Sequence, residues 1–281
     1  MSSLLQAGLT GTIVYTDLSC ELRALRLPGL EPAEPPRGPD VGCEFELSPD
    51  GERVAPGDAA WTGGHAAYAL CSGDSVLVYR PPSGRPEGIF EGCAPGWRPR
   101  PPFVLTVEDA GEIVEVSAEC LPGICGPLIS REAILAAARR HPNVPDDPTL
   151  LERIDVEDLV WLSSRRAAVL LRLTLPFGRN DLIVLFENGR VRDTYSFFDD
   201  DLERLEASPD GRAVASEPEV FAFRAGGERI AVPDDFGPIA AVAWSPDGRR
   251  LALAADGAIV IVAPGEREIR IPVTAADIAW R

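Results

Sequence analysis

Trp244-Ser-Pro-Asp-Gly-Arg-Arg-Leu-Ala252 is the stretch on which the reading of this chain turns. Proline presets the first corner of a tight turn, Asp bonds the backbone two residues on, and Gly accepts a positive φ. Ser245 to Gly248 is therefore a turn between two strands. The same tetrapeptide occurs at Ser48 to Gly51 and at Ser208 to Gly211. Repetition of this kind points to stacked copies of one small unit, because a unit that cannot bury its own apolar face buries it against the next copy.

Working outward from Trp244, Ile239-Ala-Ala-Val-Ala-Trp244 precedes the turn and Arg249-Arg-Leu-Ala-Leu-Ala254 follows it. Ala258 to Val262 and Glu268 to Pro272 complete the unit, with turns at Asp256-Gly257 and Pro264-Gly265. Four short antiparallel strands are one blade of a β-propeller. Leu202 to Ala207, Arg212 to Ser216, Val220 to Arg224 and Glu228 to Val232 repeat the rhythm. So do Glu157 to Leu162, Ala167 to Leu173, Asp181 to Phe186 and Val191 to Phe197, without the tetrapeptide. Phe103 to Val107 and Glu112 to Val116 supply two strands of another blade, entered through Ala94-Pro-Gly-Trp97. A further, irregular blade is expected from Cys43 through Tyr79.

The ends complete the count. Asp277-Ile-Ala-Trp280 has the pattern of a first strand with no followers, and Gly11 to Tyr15 with Glu21 to Leu27 has the pattern of later strands with no first. Joined, they make a sixth blade and leave no open sheet edge. The expectation is an all-β, six-bladed β-propeller over residues 1–281, closed by a C-terminal inner strand on N-terminal strands. Two passages break the rhythm. A helical insertion at about 121–152 carries Ser130-Arg-Glu-Ala-Ile-Leu-Ala-Ala-Ala-Arg-Arg140, with Ser130 as N-cap, and Pro81 to Pro102 is rich in proline, glycine and arginine.

On Trp244 to Ala252, Glu206 to Ala215 and Leu47 to Ala55 the chain resembles the TolB-like and WD-repeat-like propeller families. The Trp-Asp dipeptide of typical WD-repeat blades is absent, which favours the TolB-like side. The resemblance implies the fold and an interaction platform, and it implies no catalytic residue.

The formal charge of −17 argues against nucleic acid, since a phosphate-binding surface needs a basic footprint. All 27 cationic side chains are arginine. No apolar run is long enough to span a bilayer. No phosphate loop, nucleophile turn or His-Glu-x-x-His helix is present, and the two histidines, His65 and His141, are read as loop residues. Six cysteines suggest three disulfides, Cys20 with Cys43, Cys71 with Cys93 and Cys120 with Cys125, and hence an extracytoplasmic setting with any signal or anchor removed. Propeller topology places Cys20 and Cys71 at second-to-third strand turns and Cys43 and Cys93 at the next inner strands, so that each bridge staples neighbouring blades.

The links between blades carry Asp40, Asp199, Asp200, Asp201, Asp234, Asp235 and Asp277, which would ring one mouth of the channel. Such a mouth suits a basic peptide, an arginine-rich protein surface or Ca²⁺, and no other cofactor is expected. The reading is a non-enzymatic protein-interaction or ligand-sensing module. The alternatives are a propeller hydrolase or lactonase with a channel metal, which predicts a bound Ca²⁺, and a self-assembling structural subunit.

Overall fold

The computed structural model describes residues 8–57, 59–62, 67–98, 105–109, 112–116, 124–139, 154–175, 178–198, 202, 204–217, 222–224, 229–230, 238–255 and 257–281. They fall into two compact units: Met1–Asp58 with Glu206–Arg224 and Glu228–Arg281, and Ala59–Leu205 with Ala225–Gly227.

The chain begins with β1 (Thr12–Thr16), β2 (Leu22–Arg26) and β3 (Glu31–Pro32), followed by the pair β4 (Phe45–Leu47) and β5 (Val54–Pro56). Next come β6 (Ala60–Trp61), β7 (Tyr68–Ser72), β8 (Ser75–Tyr79) and β9 (Pro86–Glu91), then β10 (Cys93–Trp97), β11 (Leu105–Asp109), β12 (Glu112–Val116) and β13 (Ile124–Ile129). Helix α1 (Arg131–Arg139) leads to β14 (Ile154–Trp161), β15 (Arg166–Leu175), β16 (Gly178–Glu187) and β17 (Arg190–Phe198). The rest is β18 (Arg204–Ala207), β19 (Ala213–Glu217), β20 (Ala222–Arg224), β21 (Arg229–Ile230), β22 (Ile239–Trp244), β23 (Leu251–Ala255), β24 (Ala258–Val262), β25 (Ile269–Ile271) and β26 (Asp277–Trp280). Among the described residues these make six four-stranded sheets and one two-stranded sheet, β4-β5.

The two chain ends share a sheet, in the order β26-β1-β2-β3. Ile13 faces Trp280, Tyr15 faces Ile278 and Thr16 faces Asp277 in an antiparallel register. Thr12 and Arg281 exchange backbone hydrogen bonds in both directions. Gly11, at φ +102°, lies against the Arg281 carbonyl, where any Cβ would collide with it.

Side-chain alternation explains why strands such as β23 read as nearly unbroken apolar runs. Ala241, Ala243, Ala252 and Ala254 join Ile13, Tyr15, Ile278 and Trp280 in one cluster. Val242, Trp244, Leu251 and Leu253 point into another. On β22 and β23 one face thus carries alanines against a neighbour's aromatics and the other carries bulky side chains, the pattern of a sheet covered on both sides.

The three Ser-Pro-Asp-Gly copies form one hydrogen-bonded turn. The serine hydroxyl donates to the Asp carboxylate two residues on, at 2.6, 2.8 and 2.6 Å. It accepts the N–H of Arg53, Arg212 and Arg249. Gly51, Gly211 and Gly248 all take positive φ. In α1, Ser130 caps the Ala133 N–H, and Ile134, Ala137 and Ala138 bury one stripe beside Ile113, Ile129 and Leu171.

Three expectations change. The segment Cys43 to Tyr79, read as one irregular blade, is divided between the β4-β5 pair and the β6-β7-β8-β9 sheet, so a count of six blades does not describe the sheets. The reason is local: the outer edge of β5 is occupied by Arg37, through a parallel bridge to Arg53 and hydrogen bonds from Arg37 to Glu52 and from Val54 to Arg37. Pro81 to Pro102 is no simple insertion, since it holds β9 and β10. Its glycine content marks a positive φ at Gly92 and a register shift between Cys93 and Gly96. The passage expected as a helical insertion at 121–152 opens with β13, the fourth strand of its sheet.

Candidate functional site: an acidic edge and an arginine–tryptophan cleft

Two of the expected disulfides are present. Cys20, at the β1–β2 turn, is bonded to Cys43, just before β4, and Cys71, at the end of β7, is bonded to Cys93, at the start of β10. Each joins the second-to-third strand turn of one sheet to the first strand of the next. Cys120 lies outside the described residues and Cys125 falls in β13, so their pairing lies there too.

Asp17 shapes the turn that presents Cys20. Its carboxylate accepts the N–H groups of Ser19 and Glu21 and the Nε of Arg23 at 2.9, 3.1 and 2.7 Å, while Cys20 sits at φ +62°. The hydrogen bond from Arg23, helped by that from Glu21, holds the Asp17 carboxyl below the usual carboxylate range.

Of the seven aspartates expected at the acidic mouth, Asp40 and Asp277 fall among the described residues. Asp40 is exposed, and one of its carboxylate oxygens accepts the Gly42 N–H at 3.2 Å. Asp199, Asp200, Asp201, Asp234 and Asp235 lie outside the described residues. Asp277 is 4% exposed and faces inward, accepting the N–H of Phe45 at 2.7 Å and that of Ile278 at 2.8 Å. Thr16, its partner across β1, donates its hydroxyl to the Cys43 carbonyl. Asp277, Thr16 and the Cys20–Cys43 bridge therefore meet at one seam.

The same latch recurs. Asp158, in β14, accepts the N–H of Leu205 and of Leu159, each at 2.7 Å. Both latching carboxylates stand three residues before a tryptophan, in Asp158-Leu-Val-Trp161 and Asp277-Ile-Ala-Trp280, and both captured N–H groups stand three residues before a turn serine. That Asp-x-x-Trp spacing is the sequence signal for the latch. Where no cystine is found, charge does similar work: Arg172 donates to the Leu202 carbonyl at 2.9 Å and Asp181 accepts the Leu202 N–H at 3.0 Å.

A cleft of about 220 Å³ opens between β10, β13 and the turns that follow β14 and β16. Its floor is Trp161, whose indole N–H donates to Thr106 at 2.9 Å, and Thr106 donates in turn to the Gly96 carbonyl at 2.8 Å. The Arg98 guanidinium lies over the indole, 5.0 Å from the ring centre. Arg98 Nε is buried with no hydrogen-bond partner among the described residues.

The rim is made by Ser164 and Arg165 on one turn and by Asn188 and Gly189 on the other. The Asn188 N–H donates to the Arg165 carbonyl at 2.8 Å, which ties the two turns together. Asn188 and Gly189 both take positive φ, as a two-residue hairpin turn requires. Arg165 occupies a turn that elsewhere carries Pro-Asp-Gly: the Ser163 hydroxyl still accepts the following N–H groups, but the aspartate is missing. Phe186 supplies an apolar wall. No ion pair joins Arg98 or Arg165 to a carboxylate among the described residues. Sequence reading missed this cleft, although Ser163-Ser164-Arg165-Arg166, a turn that exchanges the repeat's acid for arginine, was the available signal.

No group of three or more His, Cys, Asp or Glu side chains among the described residues is arranged to hold a metal ion. No helix among them is long and apolar enough to cross a membrane.

No protein-family profile matches the sequence, and no curated protein is similar to it. Among solved structures, the chain is similar to the Cps50 (Swd1) β-propeller domain of Myceliophteria thermophila, at 13% identity and a TM-score of 0.52, over 96% of this chain and 90% of that one. The Dos1 propeller superposes with a TM-score of 0.44 at 13% identity, over 93% and 83% of the two chains. The first likeness, with the four-stranded sheets and the shared sheet at the chain ends, shows the fold to be an all-β propeller, with one short helix among the described residues.

Proposed function

We propose that this chain is a non-catalytic propeller of the TolB-like kind that binds a protein partner in an oxidising compartment outside the cytoplasm. The observation that carries the reading is the cleft: Arg98 over an indole and Arg165 on the rim, neither paired with an acid among the described residues, in a chain whose formal charge is −17. Arginine stays protonated throughout the physiological range, so this arrangement attracts and orients charge and does not transfer protons. The paired cysteines support the compartment, because such bonds persist where thiols are not kept reduced. The expected acidic mouth, of which Asp40 is exposed and Asp199, Asp200, Asp201, Asp234 and Asp235 lie outside the described residues, is proposed as a second site for a basic segment; alanine at Asp199 to Asp201 with unchanged partner capture would remove it.

The test is site-specific photo-crosslinking with the full chain, since a chain without lysine leaves amine-directed reagents little to attack. Benzoylphenylalanine placed at Ser164 should give one protein adduct in extracts of the native cells, suppressed by excess unlabelled chain. If no adduct is suppressed by that competitor at Ser164 or at a position beside Asp40, the protein-binding reading is wrong.

A further inference from the structure

We infer that the Arg98–Trp161 cleft is the receptor for a single carboxylate of a partner protein, carried beside an apolar side chain. The inference rests on the protein-binding reading and names the chemistry that the cleft recognises.

Size comes first. Sites that enclose whole drug-sized ligands run from about 300 to 1,000 Å³. At about 220 Å³ this cleft suits one side chain or one chain end, not a cofactor. Charge comes second. Acidic side chains on the β14-β15-β16-β17 sheet pair with other arginines, as in Arg192 with Glu187 and Arg172 with Glu157. Arg98 and Arg165 meet no carboxylate among the described residues, in a protein with 44 acidic residues to 27 basic ones. A half-buried guanidinium whose Nε meets no acceptor among the described residues gains a hydrogen bond from an incoming carboxylate, and planar guanidinium matches carboxylate in fork geometry.

Shape comes third. Trp161 and Phe186 give the site an apolar lining next to the cations, which favours a carboxylate with hydrocarbon beside it over a small hydrated anion. The wall is held in place before any ligand arrives, through the Trp161–Thr106–Gly96 chain of hydrogen bonds and the Asn188–Arg165 tie. Such pre-ordering lowers the entropic cost of binding.

The carboxylate has two sources, an internal Glu or Asp or the partner's C-terminus, and the probes separate them. Isothermal titration of the intact protein would use acetyl-Leu-Glu-Leu-amide for an internal acid, acetyl-Leu-Leu-Leu with a free carboxyl for a chain end, and acetyl-Leu-Gln-Leu-amide as the neutral control. One of the two acidic peptides should bind and the neutral one should bind at least about tenfold more weakly, the loss expected for one charge-assisted contact. Arg98→Gln should weaken the acidic peptide about tenfold or more. Arg165→Gln should weaken it by a smaller factor, and because Arg165 is exposed that variant keeps the fold even if Arg98→Gln does not. Arg80→Gln, which removes an exposed charge paired with Glu87, should leave binding unchanged. Acidic peptides that bind no better than the neutral one, or that bind Arg98→Gln and Arg165→Gln as they bind the parent, would overturn the proposal. Failure here with a competed photo-adduct intact removes the carboxylate receptor and leaves the protein-binding reading standing; loss of the adduct itself removes both.

Discussion

Asp277 and Phe45, 232 positions apart, are joined by a 2.7 Å hydrogen bond from the Phe45 N–H to the buried Asp277 carboxylate. The bond couples the last strand of the chain to the first residue of β4, at the place where Thr16 holds the Cys43 carbonyl and Cys20 is bonded to Cys43. An acid read from sequence as a rim ligand is a fastener.

Asp277→Ala strands the N–H groups of Phe45 and Ile278 and should cost about 2 to 4 kcal/mol, the range for losing charge-assisted hydrogen bonds at a buried site. Asp277→Asn keeps one acceptor and should cost less. Asp158→Ala, which frees Leu205 and Leu159, should fall in the same range. Urea unfolding measures all three; losses under about 0.5 kcal/mol, the usual size for an exposed surface site, would show that the latches are incidental.

Each cystine closes a short loop, with 23 residues of separation for Cys20–Cys43 and 22 for Cys71–Cys93. Chain-entropy arguments then assign about 3 kcal/mol to each. Replacing either pair by serine should lower the melting temperature by roughly 6 to 12 °C for a chain of this size. Differential scanning calorimetry of the two variants, and of the parent under reductant, checks this.

Asp17 gives the acid limb of stability a definite sign. Its carboxyl is held below the ordinary value of 3.8, first by the Arg23 hydrogen bond. A depressed folded-state value stabilises the fold above the unfolded-state value, and that contribution is lost as pH falls through the lower, folded one. Asp247 adds the same sign: burial pushes it up, but hydrogen bonds from Ser245 and Arg249 and the Arg250 charge outweigh this. Asp17→Asn should therefore be less stable than the parent at neutral pH and converge with it in acid, as pH falls through the lowered folded-state value. A stability difference independent of pH contradicts the assignment.

Thr106→Val removes the hydroxyl that receives the Trp161 indole N–H and gives to Gly96. The cost should be about 1 to 3 kcal/mol, because a part-buried donor is left unpaired. Loosening the indole should also weaken the acidic peptide at the cleft, although Thr106 is fully buried and touches no ligand. Calorimetric titration of this variant reads the effect directly; unchanged peptide affinity would mean that the relay does not order the cleft.

Much of the fold was legible because the repeat writes its turns in the sequence. Trp244 to Ala252 places β22 and β23 within two residues of where they lie, and Ser130 places the start of α1. Strands without such punctuation were harder: β9 and β10 sit among prolines and glycines that break the rhythm, and β13 lies beside the helix that obscured it. The β4-β5 pair was merged with its neighbour because nothing local announces that Arg37 takes the edge of β5. The cystines Cys20–Cys43 and Cys71–Cys93 followed from topology, whereas the cleft did not. Arg98 is distant in sequence from the Trp161 to Arg165 segment, and their proximity depends on the pairing of β10 with β11 and on a tryptophan anchored by Thr106. Asp277 looked like a loop acid because its partner, Phe45, is distant in sequence.

The seam rests on one register, β1 against β26, with Ile13 opposite Trp280 and Tyr15 opposite Ile278. Thr12 and Arg281 form a hydrogen-bonded pair, so these two opposed pairs are the close, non-hydrogen-bonded kind, with α-carbons about 4.5 Å apart. Nuclear Overhauser spectroscopy on selectively labelled protein should show strong Hα–Hα cross-peaks from Ile13 to Trp280 and from Tyr15 to Ile278. Their absence, with Trp280 coupled instead to residues outside β1, would contradict the shared sheet and the Asp277 latch together.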